Sequence, residues 1–279
     1  MNYIIFDLEW NTVFDKKKKK YFGEIIEIGA IKMNDRLELI DKFSETVKPQ
    51  INKKIKNRTT KLTGIKNSDL ETSNSFLNVI EKFQNFIGDI DKTIFMSWSD
   101  TDIRTFADNF NYYTGNYKIP FIKYYADMQK FFMQIKMKSS SDQISLQNAA
   151  DMLNIYCDNS KLHRAGNDAL LSYECFRKLY NEASIEDFII SLDDSFYEKL
   201  TFVPFYVTDF NSPLIDKNIF KSKCIECGSD LQNKAPWKIK QNGFVNKAVC
   251  NNCKSDYLIR VNFKRLYDKL NCSKQIKKL

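Results

Sequence analysis

The amino terminus joins a short apolar run to two acids, Asp7 and Glu9, in the stretch MNYIIFDLEWN. The apolar run predicts a strand over residues 2–6, and alternation along a strand places both carboxylates on one face, a few ångströms apart. Two like charges held that close repel each other unless one carboxyl takes a proton or a cation lies between them. An isolated pair of this kind is more often a strand end entering a polar loop, so evidence for a cation has to come from the rest of the chain.

The length and composition of the chain indicate a folded protein with one large domain and a smaller one. Hydrophobic residues make up 43% of the 279 residues, which is typical of a globular protein rather than a disordered one. No apolar run approaches the ~20 residues that cross a bilayer, and the amino-terminal run is too short for a signal peptide. We therefore expect a soluble, cytoplasmic protein.

Positive charge is concentrated in the last fifth of the chain. Residues 219–279 contain 14 lysines and arginines against 4 aspartates and glutamates, whereas the preceding residues contain 29 against 31. This asymmetry predicts a nucleic-acid-binding appendage on a near-neutral body, with a solvated tail as the alternative. Aromatic residues lie among the basic ones, as in nucleic-acid-binding surfaces, although a small domain also needs some of them for its core.

Four of the seven cysteines form two C-x2-C pairs in this basic segment. In a chain without a secretion signal, paired cysteines of this spacing favour a metal site over disulfides. Thiolates in two tight pairs suit a tetrahedral zinc ion, and the 22 residues between the pairs can form the loop of a zinc ribbon. The sequence therefore predicts one structural zinc ion, with the ligands Cys224, Cys227, Cys250 and Cys253.

The alternation of strand-like and helix-like segments predicts an α/β fold. Because early strands are followed by strands and helices in turn, we expect a mixed sheet flanked by helices rather than a purely parallel one. Strands are expected at residues 24–33, 37–49, 93–98 and 119–128, and helices at residues 76–87, 102–111, 145–155 and 163–183.

Two further acids and the only histidine complete a candidate site. Asp102 follows a predicted strand, Asp168 opens a predicted helix, and His163 lies five residues before Asp168. Together with Asp7 and Glu9 these residues form a coherent set of oxygen ligands beside a histidine. Oxygen ligands of this hardness select Mg²⁺ or Mn²⁺ rather than zinc. Such cations would relieve the repulsion between the two amino-terminal carboxylates.

The motifs FDLEW, EIIEIGAIK, KLTGI, W-x3-D and H-x4-D occur in this order along the chain. Together they resemble the DEDDh-type 3′–5′ exonucleases, which are DnaQ-like enzymes with a ribonuclease H-like fold. The resemblance covers residues 1–183 and is strongest to the branch that trims structured RNA ends and includes KapD-like proteins. We therefore expect an exonuclease domain at residues 1–183, a connector at 184–218, and a basic zinc-ribbon domain and tail at 219–279.

The resemblance implies a metal-dependent hydrolysis that releases nucleoside 5′-monophosphates from 3′ ends. In this family four acids hold two Mg²⁺ or Mn²⁺ ions ~3.5–4 Å apart, which activate water and stabilise charge on the phosphate. The matching acids here are Asp7, Glu9, Asp102 and Asp168, and His163 matches the histidine that acts as general base.

The resemblance also implicates Trp10, Leu62 and Thr63 in holding the terminal nucleotide. Trp10 can stack on a base, with a packing role as the alternative. The branch resemblance favours RNA as substrate, and single-stranded DNA stays open because 2′-hydroxyl contacts cannot be read from these residues.

Two other functions stay open from the sequence. A nucleic-acid- or protein-binding regulator could use the exonuclease fold without catalysis, but such a protein should have lost ligands, and all five catalytic residues are present. A proofreading subunit of a DNA polymerase would need a polymerase-binding segment, and the cysteine-rich end is not a familiar one. The zinc ribbon itself could bind nucleic acid or a protein partner.

Overall fold

The structure, a computed structural model, describes residues 1–16, 19–137, 143–158, 160 and 162–279. The chain forms two compact units, Met1–Tyr197 and Glu198–Leu279. Each unit has its own sheet and its own apolar core. Among the described residues, no helix is both long enough and apolar enough to cross a membrane.

The first unit is built on a six-stranded mixed sheet, which confirms the predicted α/β fold. Its strands are β1 (Asn2–Asp15), β2 (Lys20–Asn34), β3 (Leu39–Thr46), β4 (Thr93–Ser97), β5 (Tyr124–Asp127) and β6 (Ile189–Ser191). Their order across the sheet is β3-β2-β1-β4-β5-β6. Strands β1, β4 and β5 run parallel to one another, whereas β2, β3 and β6 pair antiparallel to their neighbours.

Helices cover both faces of this sheet. They are α1 (Asn57–Thr63), α2 (Asn67–Glu71), α3 (Phe76–Ile87), α4 (Asp100–Thr114), α5 (Met128–Lys136), α6 (Leu146–Met152), α7 (Ala165–Leu179) and α8 (Asp194–Thr201). On β1, Tyr3 and Ile5 pack into the core beneath α5, α6 and α7, whereas Phe6 contacts aromatic residues of the opposite face such as Phe106 of α4. Because side chains alternate along a strand, Asp7 and Glu9 lie on the same face as Tyr3 and Ile5.

Strand β1 is longer than predicted, because it continues past Phe6 to Asp15. Asp7 and Glu9 therefore lie inside the strand rather than after it. Pairing with β2 extends along the whole of β1, with an irregularity directly after Glu9, whereas the parallel pairing with β4 stops at Ile5. Beyond that point, among the residues that the structure describes, β1 has a strand partner on one edge only. The other edge is open to side chains from elsewhere in the unit.

Helix α7 begins directly against strand β2. A Cβ atom on Gly29 would lie 2.1 Å from the carbonyl carbon of Ala165 and from the backbone nitrogen of Gly166, so only glycine permits this approach. Gly29 is also the partner of Asp7 in the β1–β2 ladder. The contact therefore places the first turn of α7, which carries Asp168, beside Asp7.

Glu27 of β2 caps the start of α7, which has no side-chain cap of its own. The buried carboxylate of Glu27 accepts a hydrogen bond from the Ala165 amide at 3.0 Å. It also accepts hydrogen bonds from the Arg164 guanidinium, at 2.7 Å from Nη2 and 3.1 Å from Nε. A carboxylate at a helix amino terminus is favoured by the unpaired backbone N–H groups there. Together with Gly29, this cap fixes the helix to the sheet.

The strand predicted at residues 119–128 is confirmed only over its second half. Ile119 and Ile122 are buried, but they lie in a turn in which the Ile122 amide donates to the Ile119 carbonyl at 3.3 Å. The helix α5 begins at Met128 directly after β5 and was not predicted. Burial is continuous through turn, strand and helix, so an apolar run alone does not separate them.

The second unit contains an antiparallel sheet and the four paired cysteines, of which Cys250 lies at the end of a strand. The strands are β7 (Phe205–Tyr206), β8 (Gln232–Asn233), β9 (Lys238–Lys240), β10 (Gly243–Cys250), β11 (Ser255–Arg265) and β12 (Leu270–Lys278). Their order is β12-β11-β10-β8, with β9 also paired to β10 and β7 paired to β11. One face of the sheet packs on an apolar core that includes Phe220, Phe244 and Phe263.

The segment 184–218, predicted as a connector with one short helix, contains α8 and two short strands. Strand β6 pairs with β5 at the edge of the first sheet, and β7 pairs with β11 in the second unit. The segment is thus shared between the two sheets, because its apolar residues complete an edge of each.

The close contact at Gly29 predicts a large effect of one methyl group. In Gly29→Ala the added Cβ would meet the backbone of α7, and overpacking of this kind costs about 1–3 kcal/mol. We expect a clearly lower melting temperature for the first unit, measured by circular dichroism. Gly166→Ala is the matched control, since its Cβ would lie 3.3 Å from the Ser44 hydroxyl, which can rotate away. Equal stability of Gly29→Ala and the wild type would contradict the described contact.

Candidate active site

The five residues predicted for catalysis surround one cleft beside the open edge of β1. Asp7 and Glu9 come from β1, Asp102 from the first turn of α4, Asp168 from the first turn of α7, and His163 from the loop before α7. The cleft encloses about 710 Å³. The fold thus gathers side chains that are far apart in the sequence into one cavity.

Helix α4 begins earlier than predicted, and its start places Asp102 at the cleft. The helix starts at Asp100 rather than at Asp102, since the Ser99 hydroxyl caps it by accepting a hydrogen bond from the Thr101 amide at 3.3 Å. Asp102 therefore lies within the first helical turn, where a carboxylate is stabilised by the helix dipole. The backbone amide of Leu8 on β1 also donates to the Asp102 carboxylate.

A short turn joins His163 to Asp168. Asp168 Oδ2 accepts a hydrogen bond from the His163 amide at 3.0 Å, and His163 has a φ of 61°, which is uncommon for a residue with a side chain. Asp168 Oδ1 is buried and has no hydrogen-bond partner among the described residues. Potential ligand atoms of Glu9, His163 and Asp168 all lie within 4.8 Å of one another. The buried, unpaired oxygen is an acceptor that a cation would satisfy.

The cleft raises the pKa of every one of its four carboxyl groups, and burial is the largest cause at each. Burial and repulsion from Asp168 raise the pKa of Glu9 to about 8. Burial raises the pKa of Asp102 to about 7 and that of Asp168 to about 6, although backbone hydrogen bonds partly offset the shift at both residues. The pKa of Asp7 also lies well above its usual value, because of burial and then the charges of Asp102 and Asp168.

The arginine that lowers the pKa of Glu9 is itself paired with another carboxylate. Arg164 lies next to the cleft, but its guanidinium is held by Glu27, a fifth carboxylate that adds to the repulsion on Asp7 and Glu9. An all-carboxylate set of oxygen donors with one unpaired buried oxygen fits hard divalent cations such as Mg²⁺ or Mn²⁺. The electrostatics of the cleft thus match the cation requirement seen in the sequence.

Of the predicted substrate contacts, Trp10 and Leu62 present apolar surface to the cavity. Trp10 lies across Gly23 of β2, where a Cβ would be 2.9 Å from the indole Cδ1, and Leu62 is 52% exposed on α1. Thr63 also lines the cavity, but it is buried and its hydroxyl is occupied. That hydroxyl donates to a backbone carbonyl of α1 at 3.0 Å and accepts from the Ile65 amide at 3.1 Å.

Two basic residues that were not predicted for the site, Lys56 and Arg58, also line the cavity. Their segment is anchored by the buried Asn11 of β1, whose Oδ1 accepts hydrogen bonds from the Lys56 amide at 3.0 Å and the Thr59 hydroxyl at 3.2 Å. A signal was present in the sequence, because the basic stretch KKIKNRTT directly precedes the KLTGI motif. The cleft is therefore lined by basic as well as acidic residues.

In the second unit the four paired cysteines form one compact cluster. Their sulfur atoms all lie within 4.8 Å of one another, with Cys224 Sγ 3.9 Å from Cys253 Sγ and Cys227 Sγ 3.5 Å from Cys250 Sγ. Zinc–sulfur bonds of about 2.3 Å in a tetrahedron imply sulfur separations of roughly 3.8 Å. The separations fit a zinc ion and are far longer than the ~2.05 Å of a disulfide.

The backbone around the cysteines also suits a metal-bound thiolate. Gly228 and Lys254 follow the two pairs with positive φ values of 73° and 55°, and the Cys253 amide donates to Cys250 Sγ at 3.4 Å. Hydrogen bonds from Ser229 lower the pKa of Cys227 to about 5. These features favour zinc as the occupant of the site.

Comparisons with known proteins agree with this arrangement. The sequence model of the exonuclease family, of the RNase T type, matches residues 4–176. The chain is 28% identical over 181 residues to the DNA polymerase III subunit epsilon of Aquifex aeolicus, across 64% of this chain and 81% of that protein.

Similar folds occur among solved structures. A 3′-exonuclease described in 3′-end specific recognition of a histone mRNA stem-loop has a TM-score of 0.58 and 18% identity, with 70% of this chain and 91% of that one covered. The nuclease domain of 3′hExo, a DEDDh family member bound to rAMP, has a TM-score of 0.57 and 18% identity, with coverage of 69% and 96%. At this level of identity the likeness shows a common fold, and it confirms the fold implied by the motifs.

The raised pKa values predict how stability depends on pH when Mg²⁺ is absent. Between about pH 4 and pH 8 the folded cleft still holds protons that the same carboxyl groups have already released in the unfolded chain. The free energy of unfolding therefore falls as pH rises through this range. Asp102→Asn removes one of the groups responsible. We expect this substitution to raise the melting temperature at pH 8 of protein that is free of Mg²⁺ but keeps its zinc. The rise should be about 2–4 °C for each kcal/mol of stability gained, and smaller at pH 5.

Asp108→Asn is the matched control, because Asp108 lies on the same helix outside the cleft. This control should leave the pH dependence of the melting temperature as it is in the wild type. Added Mg²⁺ should stabilise the wild type and the control at pH 8 more than it stabilises Asp102→Asn. A wild-type melting temperature that stays constant from pH 5 to pH 8 without Mg²⁺ would contradict the described electrostatics.

The cysteine cluster predicts one zinc ion per chain, measured by elemental analysis of protein purified without chelators. Cys250→Ser should lose the zinc and unfold the second unit, because structural zinc contributes directly to folding. Cys272→Ser is the control, since Cys272 lies exposed on β12 of the same unit outside the cluster. Stoichiometric zinc in Cys250→Ser would show that the cluster is not the site.

Proposed function

Since this chain belongs to the exonuclease family, we propose that it removes nucleotides from the 3′ ends of nucleic acid and releases nucleoside 5′-monophosphates. RNA is the proposed preferred substrate, and single-stranded DNA is the second. One observation carries the proposal: four mutually repelling carboxylates and a histidine lie around a single cavity of about 710 Å³. An arrangement that costs stability in the empty site is expected where function requires it.

The four acids are proposed to hold two divalent cations, Mg²⁺ or Mn²⁺. The unpaired Asp168 Oδ1 supports this role, because a cation would satisfy it. The raised pKa values of Glu9 and Asp102 also support it, because burial and neighbouring carboxylates disfavour their charged forms, which a bound cation would stabilise. When bound, a pair of such ions makes water a better nucleophile at neutral pH and neutralises charge on the attacked phosphate and the leaving oxygen.

His163 is proposed to take the proton from the attacking water. Its side chain is exposed to the cleft, and its backbone is fixed to Asp168 by the 3.0 Å hydrogen bond. That bond ties the backbone of His163 to the position of an acid that is proposed to bind metal. General-base catalysis by a positioned side chain typically contributes a factor of about 10²–10⁴.

The remaining walls of the cavity are proposed to orient the 3′-terminal nucleotides. Trp10 and Leu62 offer apolar surface to a base, and stacking on an aromatic ring contributes ~1–3 kcal/mol per base. Lys56 and Arg58, which also line the cavity, are proposed to pair with phosphates on the 5′ side of the scissile bond. In this proposal the acidic residues carry out the hydrolysis and the basic residues hold the strand.

The proposal is tested by cleavage of 5′-labelled single-stranded RNA and of DNA of the same sequence, with Mg²⁺, with Mn²⁺, or with neither. We expect a ladder that shortens from the 3′ end, a requirement for divalent ions, and faster cleavage of RNA. Asp7→Ala should abolish the ladder. His163→Ala should slow it by about 10²–10⁴ while Mn²⁺ binding, measured by titration, is retained.

Asp108→Ala is again the control and should cleave like the wild type. Near-normal activity of His163→Ala would overturn the general-base role, and equal rates on RNA and DNA would overturn the RNA preference. Binding without cleavage under all metal conditions would instead support a regulator that uses this fold only for recognition.

A further inference from the structure

The second unit has a sheet face that no core covers. Along β10 and β11 the buried residues, such as Phe244, Ile259 and Val261, alternate with residues that point to the other side. We call that other side the open face. Its basic residues, placed by the strand register, are Lys238, Lys240, Lys247, Arg260, Lys264 and Lys277.

The register spaces these charges regularly. Lys238 and Arg260 flank Val245 on the two neighbouring strands, and Lys247 and Lys277 flank Leu258 in the same way. Adjacent strands lie about 4.8 Å apart, so the charges of a flanking pair are about 10 Å apart at their backbones. The open face therefore carries rows of positive charge across the sheet.

This charge is not neutralised within the unit. Asp256 is the acid on the open face, and it is already paired with Lys234 at 2.6 Å. The ion pairs of Lys199 and Lys278 with acids also lie away from this face. Within the part of the chain that the structure describes, none of the basic residues of the open face forms an ion pair. Unpaired positive charge arranged on a flat surface is the electrostatic signature of a polyanion site.

One end of the open face has a groove of about 490 Å³. Tyr206 on β7 is 42% exposed at its edge, with the Lys264 ammonium 5.9 Å from the centre of its ring. The amides of Asn262 and Asn271 and the hydroxyl of Ser273 form the rest of its polar wall. An aromatic ring, hydrogen-bonding amides and a lysine are the groups that hold a base together with its phosphate.

We propose that the open face binds a single strand of nucleic acid, with its phosphates along the lysines and one base stacked on Tyr206 in the groove. The proposal rests on the proposed function, because the strand it names is the substrate of the first unit. A protein partner fits less well, since protein interfaces have an apolar centre, and here only partly buried residues such as Val245 and Leu258 are available. A duplex would keep its bases stacked away from Tyr206.

The test measures binding in the full-length Asp7→Ala protein, by fluorescence anisotropy with a labelled oligouridine of about 20 nucleotides, without Mg²⁺ and without chelators. The triple variant Lys247→Gln, Lys264→Gln, Lys277→Gln removes one charge from each of three strands of the open face. Each phosphate contact contributes about 0.7 to the slope of log affinity against log salt for single strands. We expect the slope to become shallower by about 2, together with weaker binding at low salt.

The matched control removes the same number of charges from the same unit away from the open face, in Lys199→Gln, Lys217→Gln, Lys274→Gln. Lys199 pairs with Asp268, Lys217 lies over the Phe210 ring, and Lys274 is opposite the core residue Val261 in the strand register. This control should keep the slope of the parent protein. Tyr206→Ala should weaken binding by roughly tenfold with little change in slope, while Tyr206→Phe keeps the stacking surface and should bind normally. Zinc content and circular dichroism should confirm that each variant is folded.

If the open-face triple variant bound with the same affinity and the same salt slope as the Asp7→Ala parent protein, the proposal would be overturned. A different partner, such as an acidic protein, would then be the candidate for this face. Equal competition by duplex and single strand would overturn the single-strand assignment. Because binding is measured in a variant without catalysis, the result is independent of whether the wild type cleaves any substrate.

Discussion

Repulsion among the carboxylates of the cleft is the interaction on which the rest of the structure depends. Two unit charges ~4 Å apart near a protein surface interact by roughly 4 kcal/mol, and a folded domain has only about 5–15 kcal/mol of net stability. Burial, together with the neighbouring carboxylates, raises the pKa values of Glu9 and Asp102 to about 8 and 7, so without cations the cleft holds protons that lower this cost. Divalent cations would replace those protons, so metal binding and proton release are coupled.

Contacts outside the cleft hold the repelling groups in place. Gly29 lets α7 begin against β2, and Glu27 caps that helix through Arg164 and the Ala165 amide, so Asp168 cannot move away from β1 without breaking both. The early end of the β1–β4 pairing leaves space beside the strand for the first turn of α4. The sheet and the apolar packing on both of its faces thus stabilise the first unit, whereas repulsion among the carboxylates destabilises it at the site.

Much of this arrangement could be predicted from the sequence, because strand alternation, helical spacing and motif order are local properties. Asp7, Glu9, Asp102, His163 and Asp168 were all proposed for one site, and the structure places them around one cavity. The pairing of Glu27 with Arg164 was not predicted, because it joins residues far apart in the sequence and neither is unusual in its own segment. The length of β1 was missed for a related reason, since its second half includes the polar residues Glu9, Asn11 and Asp15, whose burial depends on tertiary packing rather than on their own hydrophobicity.

The most direct test of the central claim is a crystal structure of the protein soaked in Mn²⁺, with the ions located by their anomalous scattering. The account predicts two peaks ~3.5–4 Å apart, bounded by Asp7, Glu9, Asp102 and Asp168, with Asp168 Oδ1 among the ligands. It also predicts that lowering the soak to pH 5 empties the site, because protons then compete for the same oxygens. An empty cleft at neutral pH, or ions bound only elsewhere on the surface, would contradict it.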